Sequence, residues 1–215
     1  MSNQTGPEPF LDGAFRAETD RALSWLGLPL LRLLARGGPV SVAELAAVTG
    51  RPIDHVRAAL AGQGDIEYND QGQIVGNGIT LNPTPHRFIV DGTPLFTWCA
   101  LDTLVFPALL GRPATVESIC HATGASVRLQ VEPDRVTAVD PAGTVVSLLT
   151  PADRASIRSS FCNQVHFFAS AQVAAPWLRD HPDARVLPVA QAQRHARPLI
   201  QSLPLAGGPG DCSCC

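Results

Sequence analysis

The chain has 215 residues, of which 45% are hydrophobic and 16% charged, the range of an ordinary globular protein at its low-charge end. That length holds one large or two small domains around a real core. The formal net charge is -3 and all 16 basic residues are arginine, which argues against a general phosphate-binding surface, so no nucleic acid is expected as a partner.

The opening Met1-Ser-Asn-Gln-Thr-Gly-Pro-Glu-Pro lacks the basic region and apolar core of a signal peptide. No apolar run approaches the ~20 residues needed to span a bilayer. A cytoplasmic protein with no membrane partner is expected. In that reducing setting the six cysteines, Cys99, Cys120, Cys162, Cys212, Cys214 and Cys215, point to catalysis or metal binding rather than to a disulfide framework.

Residues 1–20 are expected to be a flexible N-terminus. From about 21 to 35, Leu23, Leu26, Leu30, Leu31 and Leu34 recur at helical spacing, with Pro29 expected to kink the helix and Gly37-Gly38-Pro39 to end it. Ser41-Val-Ala-Glu44 is a capping-box pattern for a second helix, and Pro52 opens a third that reaches about Leu60. Ile66-Glu-Tyr68 and Gln73-Ile-Val75 flank a polar turn and predict a hairpin. Three helices and a hairpin make a winged helix-turn-helix order over residues 21–80. Arg51, His55 and Arg57 are its only candidate DNA contacts, and Asp54, Asp65, Glu67 and Asp70 dilute them, so a packing module is favoured over a DNA reader.

Beyond residue 80 the texture turns to short β-type runs. Phe88–Val90 and Leu95-Phe96 flank Asp91-Gly92 as a hairpin, and 115–120 with 126–131 form another around Thr123-Gly124. Residues 135–139 and 144–149 are expected to pair in the same way. A helix at 151–159, a strand-like run at 160–169, a helix at 172–181, a strand at 186–189 and a helix at 191–203 complete the folded part. The fold expected is α+β: a winged helix-turn-helix-like module packed on a catalytic domain, 81–205, with an antiparallel β core and flanking helices. Residues 206–215 are expected to be a flexible, cysteine-rich tail.

Chemistry concentrates in Leu95-Phe-Thr-Trp-Cys99-Ala-Leu-Asp102-Thr-Leu-Val-Phe-Pro107. If this stretch is helical, Cys99 and Asp102 share a face. Thr97 is then a plausible N-cap, seating the thiol where the helix dipole favours thiolate. The apolar neighbours Leu101, Leu104, Val105 and Phe106 disfavour an ionised Asp102. A buried structural cysteine beside a capping aspartate is the plainer alternative. Cys162 and His166 share a face in strand or helix alike, which opens a Cys-Cys-His zinc site with Cys99 or a Cys-His catalytic pair. Cys120 and His121, being adjacent, face opposite ways, and Cys120 is expected to be structural. Walker loops, nucleophile elbows and dinucleotide fingerprints do not occur.

Leu95-Phe-Thr-Trp-Cys99-Ala-Leu-Asp102-Thr-Leu-Val-Phe-Pro-Ala-Leu-Leu-Gly111 and Ser160-Phe-Cys162-Asn-Gln-Val-His166-Phe-Phe-Ala-Ser170 closely resemble the bacterial organomercurial lyases (alkylmercury lyases). Cys120-His-Ala-Thr-Gly124 and Val139-Asp-Pro-Ala-Gly143 are similar to that family too. The resemblance spans about 20 to 190 and implies Cys99, Cys162 and Asp102 as both the catalytic set and the mercury ligands, with Cys120 structural. It also implies cleavage of the carbon–mercury bond by protonolysis, giving a hydrocarbon and Hg²⁺, in mercury detoxification. No cofactor is expected apart from Hg²⁺ held as product. The expected partners are an organomercury substrate, low-molecular-weight thiols and a mercuric reductase as Hg²⁺ acceptor. Asn163 stands where many members carry a further cysteine. The Cys212-Ser-Cys214-Cys215 end is outside the family pattern and is either a further Hg²⁺ ligand set or of no consequence. Phe96, Trp98, Phe161 and Phe167 are candidates for an apolar cleft. The rival function is a soft-metal-responsive winged-helix transcription regulator. It gives no reason for Asp102 beside Cys99. A Cys-His hydrolase or transferase using Cys162 and His166, and a metal binder without turnover, are further alternatives.

Overall fold

A computed structural model describes residues 25–149 and 157–201. The expected flexible N-terminus, most of the 151–159 helix and the cysteine tail lie outside them. The described residues open with three short helices, α1 (Gly27–Leu34), α2 (Val42–Thr49) and α3 (Ile53–Ala61), then the hairpin β1 (Glu67–Tyr68) and β2 (Ile74–Asn77). Leu30, Leu31, Leu34, Leu45, Val56 and Leu60 bury the faces that the apolar spacing marks out. The Ser41 hydroxyl accepts from Glu44 N–H while the Glu44 carboxylate accepts from Ser41 N–H, closing the capping box. Pro29 lies in the first turn of α1, where a backbone N–H has no helical partner to lose.

The next elements are β3 (Ile79–Thr80), β4 (His86–Val90), β5 (Thr93–Thr97), α4 (Asp102–Leu110), β6 (Ala114–Ile119), β7 (Ser126–Val131), β8 (Val136–Asp140) and β9 (Val145–Leu148). One antiparallel sheet runs β1-β2-β3-β5-β4-β6-β7-β8, so the wing of the helical module is continuous with the sheet of the larger part. Asp91 and Gly92 both take positive φ (50° and 77°), the two-residue turn the β4–β5 hairpin requires. Gly78 joins β2 to β3 at φ +82°, and a Cβ there would strike the Phe106 ring.

The expected pairing of 135–139 with 144–149 does not occur. β8 pairs with β7 and ends the large sheet, whereas β9 is the central strand of a second antiparallel sheet, β10-β9-β11. Burial explains the split. All four residues of β9 are buried, as a strand covered on both faces must be, while β8 is largely solvent-facing. The flanking elements are α5 (Ile157–Ser160), β10 (Phe167–Phe168), α6 (Ala171–Asp180), β11 (Arg185–Pro188) and α7 (Val189–Gln201). The strand-like run expected at 160–169 is mostly something else: the end of α5, a 3-10 turn at Cys162–Gln164, and only then β10. Helix α4 is apolar nearly all round and packs against α1, α7, β6 and β7. No helix among the described residues is long and apolar enough to cross a membrane.

Candidate active site

The N-terminus of α4 meets the 3-10 turn in the middle of the core. Cys99 is 0%, Asp102 1% and Cys162 1% exposed. One Sγ from each cysteine and a carboxylate oxygen of Asp102 lie within 4.8 Å of one another, the sole grouping of three or more metal-type ligands among the described residues.

Local structure differs from the helix expected over this stretch. Thr97 is not an N-cap: it ends β5, held opposite His86 by strand pairing, and its hydroxyl donates to the Cys99 carbonyl at 2.9 Å. Helix α4 begins only at Asp102, so Cys99 sits in the turn before it rather than in its first turn. Asp102 Oδ2 accepts the Cys99 backbone N–H at 3.1 Å, and the Thr103 hydroxyl donates to the Ala100 carbonyl at 2.7 Å. These bonds close the turn upon itself and keep the carboxyl beside the sulfur, the proximity expected from the i, i+3 spacing but reached by another backbone path.

Cys162 is presented by the 3-10 turn, with Gln164 N–H donating to the Phe161 carbonyl and Val165 N–H to that of Cys162. Ser147, buried in β9, clasps this turn: its hydroxyl donates to the Gln164 carbonyl at 2.9 Å and accepts from His166 N–H at 2.8 Å. Ala100 N–H donates to the Val165 carbonyl at 3.2 Å, a backbone bond that ties the two cysteine-bearing segments together. Neither Ser147 nor this link is legible in local sequence, because each acts across strands distant in the chain.

The 3-10 turn also removes His166 from Cys162. A repeat of four residues aligns side chains in a strand or an α-helix, not across a 3-10 turn followed by extended chain. His166 instead stacks on His121 with ring centroids 3.8 Å apart, so neither the Cys-Cys-His zinc site nor the Cys-His pair forms. With Pro85, His86, Ile119, His121 and Phe167 it lines a separate cavity of about 300 Å³. Burial foremost, then His166, holds His86 at about 3, and burial, then His121 and His181, holds His166 at about 4. Both rings are therefore neutral at pH 7.

Cys120 is buried and its sulfur accepts Ala169 N–H at 3.4 Å, while neighbouring His121 is exposed, as expected for adjacent residues at a strand end. Of the aromatic candidates, Trp98, Phe161 and Phe167 are buried and Phe96 half-buried, with Phe167 facing the imidazole cavity. On the helical module, Arg51 lies over the Trp25 ring, His55 meets that ring edge-on, and Arg57 pairs with Asp54. The tail thiols Cys212, Cys214 and Cys215 fall outside the described residues.

Fold and site together define a mixed α+β protein in which a winged helix-turn-helix module joins a domain built around a buried pair of thiols and a carboxyl, the donor set of a soft-metal enzyme. Residues 79–201 match the family model for alkylmercury lyase and residues 11–78 that for the helix-turn-helix domain of alkylmercury lyase. The chain belongs to the alkylmercury lyase family. It is 58% identical over 188 residues to the alkylmercury lyase of Streptomyces lividans, covering 87% of each chain. Against that of Staphylococcus epidermidis it is 52% identical over 194 residues, 90% of this chain and 89% of the relative. The crystal structure of the mercury-bound form of MerB2 superposes with a TM-score of 0.73 at 25% identity, covering 87% of this chain and 98% of that one. These matches give the regulator reading no comparable support.

Proposed function

We propose that Cys99, Asp102 and Cys162 form the site at which this organomercurial lyase cleaves the carbon–mercury bond. The observation that carries the reading is the convergence of two sulfurs and a carboxylate oxygen within 4.8 Å in a buried setting. Mercury is a soft cation and thiolate is the soft protein ligand suited to it. The Cys99 thiolate attacks the mercury of R–Hg–SR′ and releases the carrier thiolate R′S⁻. Cys162 gives its proton to the Asp102 carboxylate and adds as the second sulfur. Two thiolates push electron density through mercury onto the bound carbon. Protonated Asp102 then delivers its proton to that carbon as general acid while the carbon–mercury bond breaks. The hydrocarbon leaves, Hg²⁺ remains on two thiolates, and Asp102 is again a carboxylate. Electrons and protons balance with no redox partner, so the reaction calls for no cofactor.

The Hg²⁺ product must pass to other thiols. Low-molecular-weight thiols and a mercuric reductase are the acceptors this reading calls for, with Cys212, Cys214 and Cys215 as a relay in the same chain. Truncation after Gly210 is expected to slow Hg²⁺ transfer to an acceptor thiol, and an unchanged rate removes the tail from the scheme. A cytoplasmic location suits this dependence on thiols. Residues 81–205 then serve as the catalytic unit, with 21–80 packed on it. Turnover is tested by methane or benzene release from methyl- or phenylmercury in excess thiol. Hydrocarbon formed mole for mole with Hg²⁺ supports the reading. Tight Hg²⁺ binding with no hydrocarbon would leave a mercury binder in its place.

A further inference from the structure

The wing of the helical module reaches both cysteine-bearing segments through one side chain. Glu67 lies on β1 with its side chain only 12% exposed. Its Oε1 accepts the Trp98 indole N–H at 2.9 Å, and Trp98 is the residue before Cys99. The same oxygen takes a hydrogen-bonded ion pair from the Arg158 guanidinium, four residues before Cys162. Its Oε2 accepts from the Thr80 hydroxyl and from the Asn82 side-chain amide at 2.8 Å. The Arg158 guanidinium lies 4.8 Å above the Trp98 ring, and Arg158 backbone N–H donates to Asp65 Oδ2 at 3.3 Å. Gly76 opposes Glu67 in the hairpin, and a Cβ there would overlap the Glu67 carboxylate and crowd the Thr80 hydroxyl. The space at position 76 is therefore filled by the carboxylate.

Acidic residues of a DNA-reading wing would face solvent or weaken phosphate contacts. Glu67 turns inward, and its four donors come from three segments: the β3 region, the approach to Cys99 and the approach to Cys162. Nothing else among the hydrogen bonds above joins all three. We infer that Glu67 is a positioning residue for the dithiol: through Trp98 and Arg158 it sets how the Cys99 and Cys162 segments meet, which gives the helix-turn-helix module its part in catalysis. The inference rests on the site assignment proposed above. Chemistry that needs two sulfurs and an acid on one mercury atom is sensitive to misplacement, since a shift near 1 Å can cost on the order of a hundredfold in rate.

The test uses the full-length chain with methylmercury in excess thiol. Glu67→Gln keeps an acceptor for the indole N–H but presents an amide to Arg158, Thr80 and Asn82; Glu67→Ala removes every acceptor. A fall in kcat on the order of tenfold for Glu67→Gln and on the order of a hundredfold for Glu67→Ala is expected. KM should change less than kcat, and the ultraviolet mercury–thiolate absorption on Hg²⁺ titration should shift from that of the parent dithiolate. Gly76→Ala, which displaces the carboxylate and leaves Glu67 in the chain, is expected to follow Glu67→Gln. Val56→Ala is the control, a core cavity in the same module that lowers the unfolding midpoint without touching the hub. If Glu67→Ala keeps its kcat and mercury absorption, or loses kcat only as Val56→Ala does at equal folded fraction, the inference is overturned. Failure of the site assignment reads differently, as turnover surviving Cys99→Ser and Cys162→Ser with Glu67 intact.

Discussion

Two groups of chemistry-bearing side chains hang from the same short stretch, Cys162 to His166, and only one of them brings three metal-type ligands together. In the first, Cys162 joins Cys99 and Asp102 with ligand atoms within 4.8 Å of one another. In the second, the His166 and His121 rings stack nearly parallel, 8° between planes, and Trp177 and His181 do the same at 11°. These rings share surface, and among the described residues they belong to no grouping of three metal-type ligands. Sulfur and imidazole are both metal donors by type. Convergence separates them here, and the 3-10 turn at Cys162–Gln164 is the device that sends one side chain to the core and the other to the cavity.

The largest effects should therefore fall on one side of that comparison. Cys99→Ser and Cys162→Ser are each expected to abolish hydrocarbon release, whereas His166→Gln should leave kcat nearly intact. Asp102→Asn should retain mercury capture and lose roughly 10²- to 10⁴-fold in turnover, the usual range for a general acid. Hydrocarbon release and Hg²⁺ titration of the same variants check both halves. If His166→Gln is the inactive variant and Cys162→Ser an active one, the two groups have been assigned the wrong way round.

A smaller effect separates the groups by pH. His86 and His166 titrate near 3 and 4 in the folded protein against 6.5 when exposed. Between those limits the unfolded chain binds protons that the folded chain refuses, so stability falls as pH drops from about 6.5 toward 4 and is flat above 6.5. Unfolding midpoints in denaturant across that window should show the slope. His166→Gln should make it shallower, since one of the protons taken up by the unfolded chain is gone. A slope unchanged in that variant would place the linkage elsewhere.

Much of this arrangement was legible in the residues. The capping box and the Asp91-Gly92 turn rest on local chemistry, which is why those elements stand where their spacing puts them. The closeness of Cys99 and Asp102 was legible for a reason that did not depend on the right backbone, because a closed turn and a helix both bring i and i+3 together. What failed was whatever depended on pairing at a distance. β9 left its expected partner because it is buried on both faces, and the β5–β4 ladder, not an N-cap, decides where Thr97 stands. Asp65 and Glu67 read as solvent charges until their partners Arg158 and Trp98 were in place, since nothing in a wing sequence marks which way an acid points.

Cys120 offers the mildest test, because it resembles the first group in type and the second in position. It lies next to His121, and burial alone would raise its thiol. Hydrogen bonds from the Thr123 hydroxyl and from the backbone N–H groups of Ala169, Thr123 and Ala122 outweigh burial and bring it below the ordinary thiol range. A sulfur biased toward thiolate is a mercury ligand in waiting, yet here it faces backbone donors rather than a second sulfur. Its work is to join the β6–β7 turn to the residue after β10 through Ala169 N–H. Cys120→Ala leaves that donor without its acceptor and should cost about 1 kcal/mol of stability, with kcat per folded molecule unchanged. Denaturant unfolding and methylmercury turnover on the same preparation measure both. Loss of turnover at full stability would bring this third thiol into the reacting set and make the convergence of only two sulfurs an incomplete account.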